Sequence, residues 1–364
     1  MSEDFWPDQT NKLRDFLGVE HPILQAPMAG GPTTPELVAA VSNTGALGSL
    51  GAGYMSPEDI ESDIKKIREF TEKPFAVNLF VPAESPSIVP SEKVMKKLGN
   101  VSEKVGAEVP HEFPSLKFTF EDQFRVILEN RVPVFSFTFG IPEEKYIEKL
   151  LAREVAVIGT ATSVEEGVRL EEAGCSAVIA QGSEAGGHRA SFGMDGEVPM
   201  IGSISLVPQL ADKVGVPVIS SGGIMDGRGI AAALALGASA VQMGTAFLSC
   251  KEASLNSAWQ DALLKSTDTS TVLTNVFTGK YARGIKNTFI EEFKGLENEI
   301  PAYPIQQGLT TPLRAAAKSK GDAEYMSLWA GQGSAMSRKC SAAELIELLV
   351  SESREALQRI SSKS

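Results

Sequence analysis

Residues 176–189 read Ser-Ala-Val-Ile-Ala-Gln-Gly-Ser-Glu-Ala-Gly-Gly-His-Arg, a short apolar run that opens into a glycine-rich loop. The run at 176–180 is typical of a strand that is buried on both faces. Glycines in the loop allow the backbone to approach a ligand closely. Gln181 adds an amide and His188 adds a side chain that ordinarily titrates near neutral pH. The pattern favours a ligand site at a strand end over a surface turn with an incidental histidine.

The same order, an apolar run followed by a polar or glycine-containing loop and a helix, recurs along the first two thirds of the chain. Strands are predicted within 22–31 and at 46–50, 75–80, 132–139, 155–159, 176–180, 217–224 and 240–245. Helices are predicted between them at 35–43, 57–67, 120–129, 143–152, 164–173, 203–214 and 227–237. Repeated alternation of this kind predicts an α/β fold, a (β/α)8 TIM barrel, in preference to a doubly wound sheet.

The rest of the chain departs from this alternation in two places. Residues 82–118 are rich in Pro, Ser, Lys and Glu and are too long for an ordinary connection, which predicts a lid or an insertion. We expect residues 1–250 to form the barrel. Residues 251–364 are expected to form a mostly helical segment on the substrate side, with its last helix as a candidate to pack back on the barrel.

Composition excludes several classes of protein. A net charge of −12 over 364 residues argues against a nucleic-acid partner. The three cysteines are dispersed, which argues against a disulfide framework and structural zinc, and no metal site is expected. The acidic N-terminus lacks the pattern of a signal peptide, and no apolar run reaches membrane-spanning length. The sequence therefore predicts a cytoplasmic protein without a membrane partner.

Polar groups and glycines cluster at the predicted strand ends, where barrel enzymes carry their sites. Glycines at 222–223 and 244 follow the last two strands, which is typical of a phosphate site built from backbone N–H groups. Asn78 and Gln181 offer amide partners for a flavin ring, and Met28 offers apolar cover. Asn78 and Met28 also have ordinary explanations, as a loop contact and a core residue. The combination predicts FMN as the cofactor.

Several segments resemble the nitronate monooxygenases, once called nitropropane dioxygenases. The resemblance rests on residues 21–30 (HPILQAPMAG), 181–189 (QGSEAGGHR) and 244–248 (GTAFL), and residues 328–333 (LWAGQG) resemble the class I branch. Flavin-type enoyl-acyl-carrier-protein reductases share the EAGGH core at 184–188. The resemblance extends from about residue 20 to residue 340. It implies an FMN-dependent barrel with an added helical domain, which oxidises alkyl nitronates such as propionate 3-nitronate with dioxygen and without nicotinamide.

The resemblance and the phosphate pattern together predict the site. The expected FMN contacts are Met28, Asn78, Gln181, Gly186, Gly222, Gly223, Gln242, Met243, Gly244 and Thr245. His188 is the expected catalytic residue at the substrate, with Thr138 and Tyr303 as further substrate contacts. Thr138 stands where many class I members have histidine, and Lys280 replaces an arginine of the family's Gly-Arg-x-Ala-Arg-Gly pattern. A protonated His188 would stabilise the nitronate anion, whereas a neutral one would take a proton from a nitroalkane.

The predicted reaction gives a carbonyl compound and nitrite or related nitrogen oxides. The reactants are a small nitronate and dioxygen, and the protein is expected to be a monomer or a homodimer. Two alternatives remain open. One is a nicotinamide-dependent FMN reductase that acts on a quinone or an enoyl thioester, and the other is a flavin-binding protein without turnover.

Overall fold

The computed structural model describes residues 4–82, 89–110, 118–192 and 198–361. The described residues form eleven strands: β1 (Ile23–Gln25), β2 (Gly48–Gly51), β3 (Phe75–Phe80), β4 (Val134–Thr138), β5 (Ala156–Ala161), β6 (Ala177–Gln181), β7 (Gly187–His188), β8 (Val218–Ser221), β9 (Ala240–Met243), β10 (Thr271–Thr274) and β11 (Ala282–Ile285).

The α-helices of the described residues alternate with these strands and continue beyond them. They are α1 (Asn11–Leu17), α2 (Pro35–Asn43), α3 (Pro57–Phe70), α4 (Glu92–Val105), α5 (Phe120–Glu129), α6 (Glu144–Leu151), α7 (Val164–Glu172), α8 (Ser203–Ala211), α9 (Gly227–Ala235), α10 (Ser257–Leu264), α11 (Thr288–Glu292), α12 (Ile305–Lys320) and α13 (Ala342–Ser361). In this part of the chain, none of the helices has the length and apolar character required to cross a membrane.

Eight parallel strands form the barrel, in the order β1-β9-β8-β6-β5-β4-β3-β2. A parallel bridge between Leu24 and Leu47 joins the two ends of this order and closes the sheet. The predicted (β/α)8 barrel is confirmed. Its strands were recognisable because strands covered on both faces need apolar residues at every position, and β5 is buried along its whole length.

Helix starts follow the local sequence. The side chain of Thr34 accepts a hydrogen bond from the backbone N–H of Leu37, and Ser56 accepts one from Asp59. Proline occupies the first helical position after each cap, where its missing N–H costs nothing. α2 and α3 therefore begin directly after their caps, where the local sequence predicts them.

A second, antiparallel sheet stands over the C-terminal ends of the barrel strands. It has the order β10-β11-β7, and β11 pairs Ala282 with His188 and Arg283 with Gly187. Residues 251–364 were expected to be mostly helical, and the two strands that they contribute were not predicted. The sheet attaches the His188 loop to a part of the chain about ninety residues later in sequence.

The segment predicted as a lid or an insertion contains α4. Residues 83–88 and 111–117 of that segment lie outside the described residues. Val94, Leu98 and Val101 of α4 are fully buried and belong to one apolar cluster with Leu309 and Leu313 of α12. Lysines and glutamates on the other face of α4 gave the segment its polar composition, which obscured the helical spacing of its apolar residues.

The last helix, α13, packs against α9 and α2 on the outside of the barrel. Leu345, Ile346 and Leu349 are buried there with apolar residues of the barrel helices. The approach is close at Gly227, where an added Cβ atom would lie 2.2 Å from the backbone nitrogen of Ser353. The two ends of the chain thus meet on the same side of the barrel, because Arg354 lies over the ring of Phe5.

Candidate active site

A cavity lies at the C-terminal ends of the barrel strands, beneath the antiparallel sheet. Its wall includes every residue predicted to contact the cofactor: Met28, Asn78, Gln181, Gly186, Gly222, Gly223, Gln242, Met243, Gly244 and Thr245. His188 and Thr138 also line it. The structure therefore brings the predicted residues together around one space, while their individual contacts with a cofactor or substrate stay predictions.

Tyr303 has a different position. Among the described residues, those that line the cavity include Tyr54 but not Tyr303. Burial raises the pKa of the Tyr54 phenol, and the nearby Tyr303 adds to the rise. Tyr303 thus lies near a residue of the wall, and its contact with a substrate stays a prediction.

The loops after β8 and β9 provide backbone donors. Gly222 and Gly223 have φ angles of +112° and +73°, which favour glycine. In the part of the chain that the structure describes, the amides of Gly223, Gly244 and Thr245 have no hydrogen-bond acceptor. Unpaired N–H groups in adjacent loops are suited to an anion such as a phosphate.

The backbone N–H groups at the start of α9 already have acceptors within the protein. The carboxylate of Asp226 accepts hydrogen bonds from the amides of Arg228 at 3.0 Å and Gly229 at 3.1 Å. It also pairs with the guanidinium of Arg228. Because Asp226 already satisfies the first N–H groups of the helix, the available donors belong to the loops and not to the helix end.

Asn78 is buried in the floor of the cavity. Its Nδ2 donates to Oγ of Ser136 at 2.9 Å and lies 3.4 Å from Oγ1 of Thr138. Both hydroxyls belong to the neighbouring strand β4. Asn78 therefore has structural partners, and these contacts fix its amide at the cavity wall.

His188 is fixed by a hydroxyl from another part of the chain. Its Nε2 lies 2.9 Å from Oγ1 of Thr278, and that hydroxyl donates to the carbonyl oxygen of Lys280 at 3.0 Å. A hydroxyl has one proton, so both contacts are satisfied together only in the tautomer in which Thr278 accepts from the histidine and Nε2 carries the ring proton. In the described residues Nδ1 has no hydrogen-bond partner. Its lone pair is available to a molecule in the cavity.

The surroundings of His188 keep it neutral. Burial, together with the positive charges of Lys280 and Arg314, lowers its pKa to about 3. Rings of Phe139 and Trp329 lie 5.8 Å and 5.4 Å from the imidazole ring, centre to centre. Of the two roles left open by the sequence, the structure favours the neutral base over the imidazolium.

Two cations stand near this histidine. Nζ of Lys280 lies 4.5 Å from the ring centre of Phe139, and burial lowers its pKa. Arg314 donates to neutral oxygens of Thr310, Ser327 and Gln307. Neither cation forms an ion pair with a carboxylate of the described residues. Their charges make the electrostatic potential around His188 more positive, although neither side chain is among the described residues that line the cavity.

Most of the residues that surround His188 were not predicted from the sequence. Tyr54, Thr278 and Arg314 gave no local signal, because their roles depend on contacts across the fold. Phe139 has a φ of +78°, a conformation that the sequence does not reveal. Only the position of Lys280 was noted, as a departure from a familiar pattern. No cluster of three or more metal-ligating side chains is found within the described ranges.

A closed (β/α)8 barrel whose strand ends surround a cavity with unpaired loop amides and a buried neutral histidine is the arrangement of a barrel enzyme. The family model for nitronate monooxygenase matches residues 10–352. The chain belongs to the nitronate monooxygenase family, whose members are oxidoreductases.

Individual relatives agree over nearly the whole length. A probable nitronate monooxygenase of Staphylococcus saprophyticus is 47% identical over 96% of this chain and 99% of its own. One of Staphylococcus aureus strain Newman is 45% identical over 96% of this chain and 98% of its own. The crystal structure of a nitroalkane oxidase from Streptomyces ansochromogenes matches 96% of this chain and 99% of its own, with 39% identity and a TM-score of 0.88. The structure of FabK from Thermotoga maritima matches 97% of this chain and 99% of its own, with 32% identity and a TM-score of 0.78.

Proposed function

We propose that this protein uses FMN to oxidise alkyl nitronates of the propionate 3-nitronate type with dioxygen. The products would be a carbonyl compound and nitrite or a related nitrogen oxide. Family membership supports oxidation of nitronates or nitroalkanes by an enzyme with a flavin. The observation that carries the finer proposal is the cavity at the strand ends, where a neutral His188 lines the wall and the positive charges of Lys280 and Arg314 act on that histidine.

The residues present fit FMN. The unpaired amides of Gly223, Gly244 and Thr245 would hold its phosphate, and Asn78 and Gln181 would contact the ring. A side chain at Gly186 would come within 2.5 Å of the backbone nitrogen of Gly331, so the wall has room only for bare backbone there. Bound FMN would supply electron acceptance from the substrate and reoxidation by dioxygen.

The chain itself supplies binding and proton transfer. Nδ1 of His188 takes the proton from the carbon beside the nitro group of a neutral nitroalkane, while Thr278 holds the proton on Nε2. Lys280 and Arg314 stabilise the negative charge that develops on the nitro oxygens. A substrate that arrives as the nitronate needs only the second of these contributions.

The proposal is tested by oxygen uptake with propionate 3-nitronate in the absence of nicotinamide, after the visible spectrum of the purified protein has been recorded. We expect flavin absorbance and rapid uptake. His188→Asn should retain flavin, lose activity on neutral nitroalkanes and keep most of its activity on the nitronate. His21→Asn is the matched control, since His21 is a partly buried histidine that binds Trp6 far from the cavity. Flavin absorbance without uptake would reject the proposal.

A second candidate is an FMN-dependent reductase that uses NADH or NADPH. The likeness to FabK at 32% identity favours it, as does the resemblance of residues 184–188 to flavin-type enoyl-acyl-carrier-protein reductases. Anaerobic addition of NADPH distinguishes the two candidates, because rapid loss of flavin absorbance is expected only of the reductase. Bound flavin that responds to neither reagent would indicate a flavin-binding protein without turnover.

A further inference from the structure

Arg189 is a fully buried cation whose partners are oxygens of amides. Its side chain is 1% exposed. Nη1 donates to the carbonyl oxygens of Gln181 at 3.0 Å and Gly182 at 2.7 Å, and Nη2 donates to that of Pro199 at 3.0 Å. It forms no ion pair with a carboxylate of the described residues. A guanidinium used in this way fixes the oxygens around it more firmly than a neutral donor would.

One of these oxygens belongs to the side chain of Gln181. Nη1 of Arg189 lies 3.0 Å from Oε1 of Gln181, and the backbone N–H of Ala190 donates to the same atom at 3.0 Å. A guanidinium and a backbone amide can only donate. The atom that faces them must therefore be the oxygen, and both of its lone pairs are in use.

The nitrogen of the same amide faces the other way. Nε2 of Gln181 donates one hydrogen to the carbonyl oxygen of His188 at 3.0 Å. In a flipped amide, the NH2 group of Gln181 would face the donors of Arg189 and Ala190. Its oxygen would face the carbonyl oxygen of His188. The orientation is thus determined at both ends, and the second hydrogen of Nε2 is the only part of this side chain left for a ligand.

We propose that Arg189 is a positioning residue that makes Gln181 an obligate hydrogen-bond donor to the bound flavin and thereby raises the flavin's reduction potential. The inference rests on the proposed FMN. A flavin ring becomes more electron-rich when it is reduced, so a donated hydrogen bond stabilises the reduced form more than the oxidised form. An amide free to flip would present an oxygen in part of the molecules and lose this preference.

The test compares the midpoint potential of the bound flavin in three variants, none of which changes the formal charge. Gln181→Met removes the donor, and Arg189→Lys removes the forked contact that orients it. Arg283→Lys is the matched control, because Arg283 is a buried arginine that donates to the carbonyl of Ser183 at 3.0 Å without touching Gln181. Potentials are measured by anaerobic equilibration with a reference dye, and FMN dissociation constants are measured by fluorescence.

Gln181→Met should lower the equilibrium ratio of reduced to oxidised flavin about tenfold. The midpoint potential should therefore fall by roughly 30 mV for a two-electron couple. Arg189→Lys should shift the potential in the same direction by a smaller amount, and Arg283→Lys should leave it in place. An unshifted potential in Gln181→Met with flavin bound would overturn the inference while leaving the proposed function intact. Wild-type protein that binds no flavin would overturn both. If Arg189→Lys does not fold, Gln181→Met still decides.

Discussion

Oγ1 of Thr278 lies 2.9 Å from Nε2 of His188, although the two residues are ninety positions apart in the sequence. The same hydroxyl lies 3.0 Å from the carbonyl oxygen of Lys280, and both contacts are satisfied together only when the hydroxyl donates to that oxygen and accepts from the histidine. The contact therefore determines which ring nitrogen carries the proton and which has the lone pair. In the proposed reaction, Thr278 thereby orients His188 to act as a base through Nδ1, although Thr278 itself is not among the described residues that line the cavity.

Thr278→Val should impair the use of neutral nitroalkanes. Loss of one buried hydrogen bond costs about 1 kcal/mol, which corresponds to roughly a fivefold lower kcat/KM. Preformed nitronates do not require proton removal and should be affected much less. Thr278→Ser restores the hydroxyl and should restore the rate. Equal losses on both substrates would contradict a role in orienting the base.

Acid stability should depend on His188. Its pKa is lowered to about 3, whereas an unfolded histidine titrates near 6.5. Between these pH values, position 188 is protonated in the unfolded chain but not in the folded chain. The free energy of unfolding therefore falls as the pH falls through this window. The slope from one such group is at most about 1.4 kcal/mol per pH unit.

His188→Asn should therefore lose less stability than the wild type when the pH is lowered from 6.5 towards 4. Urea unfolding at a series of pH values measures this difference. The carboxylates and His21 titrate in both proteins and cancel in the comparison. Parallel pH profiles for the two proteins would show that His188 titrates normally in the folded state.

Gly279→Ala should destabilise the protein more than an ordinary substitution in a turn. Gly279 has a φ of +80°, and an added Cβ atom would lie 2.2 Å from the carbonyl oxygen of Pro301. Gly295 has a φ of +83° with nothing within 4 Å of that position. Gly295→Ala should cost about 1–2 kcal/mol from the backbone alone. Gly279→Ala should cost roughly 1–3 kcal/mol more, because the backbone beside Tyr303 must move. Urea unfolding of both variants measures the difference, and equal losses would contradict the close contact.

Leu98→Ala tests whether α4 is part of the packed structure. Leu98 is fully buried against residues of α12, so the variant should lose about 2–5 kcal/mol of unfolding free energy. Met95 lies on the exposed face of the same helix, and Met95→Ala should change stability by less than about 0.5 kcal/mol. Thermal and urea unfolding of the pair provide the comparison. Similar small effects for both would show that α4 contributes little to the folded state.

The barrel and the composition of the cavity wall were predictable from local sequence. Parallel strands such as Ala177–Gln181 need apolar residues at every buried position, which makes them recognisable. The residues that follow each strand line the cavity because barrel sites lie at the C-terminal ends of the strands. Gly222 and Gly223 were recognisable for the same reason. These features depend on neighbours within a few positions along the chain.

The polar partners of the site were not predictable in this way. Thr278 contacts His188, and the charge of Arg314 acts on it, only because the chain returns over the barrel after β9. Strand β7 has two residues, too few for any periodic pattern. The protonation state of His188 depends on burial and on distant charges, none of which can be obtained from the residues beside it.

The pairing of His188 with Ala282 has a consequence for biosynthesis. The ribosome synthesises the chain from the N-terminus onwards, and the last barrel strand ends at Met243. The barrel can therefore close before Thr278 and Ala282 have been translated. A nascent chain would then contain the loops after β8 and β9 but a histidine without its sheet partner, and the surroundings of His188 would be completed only after the barrel had closed.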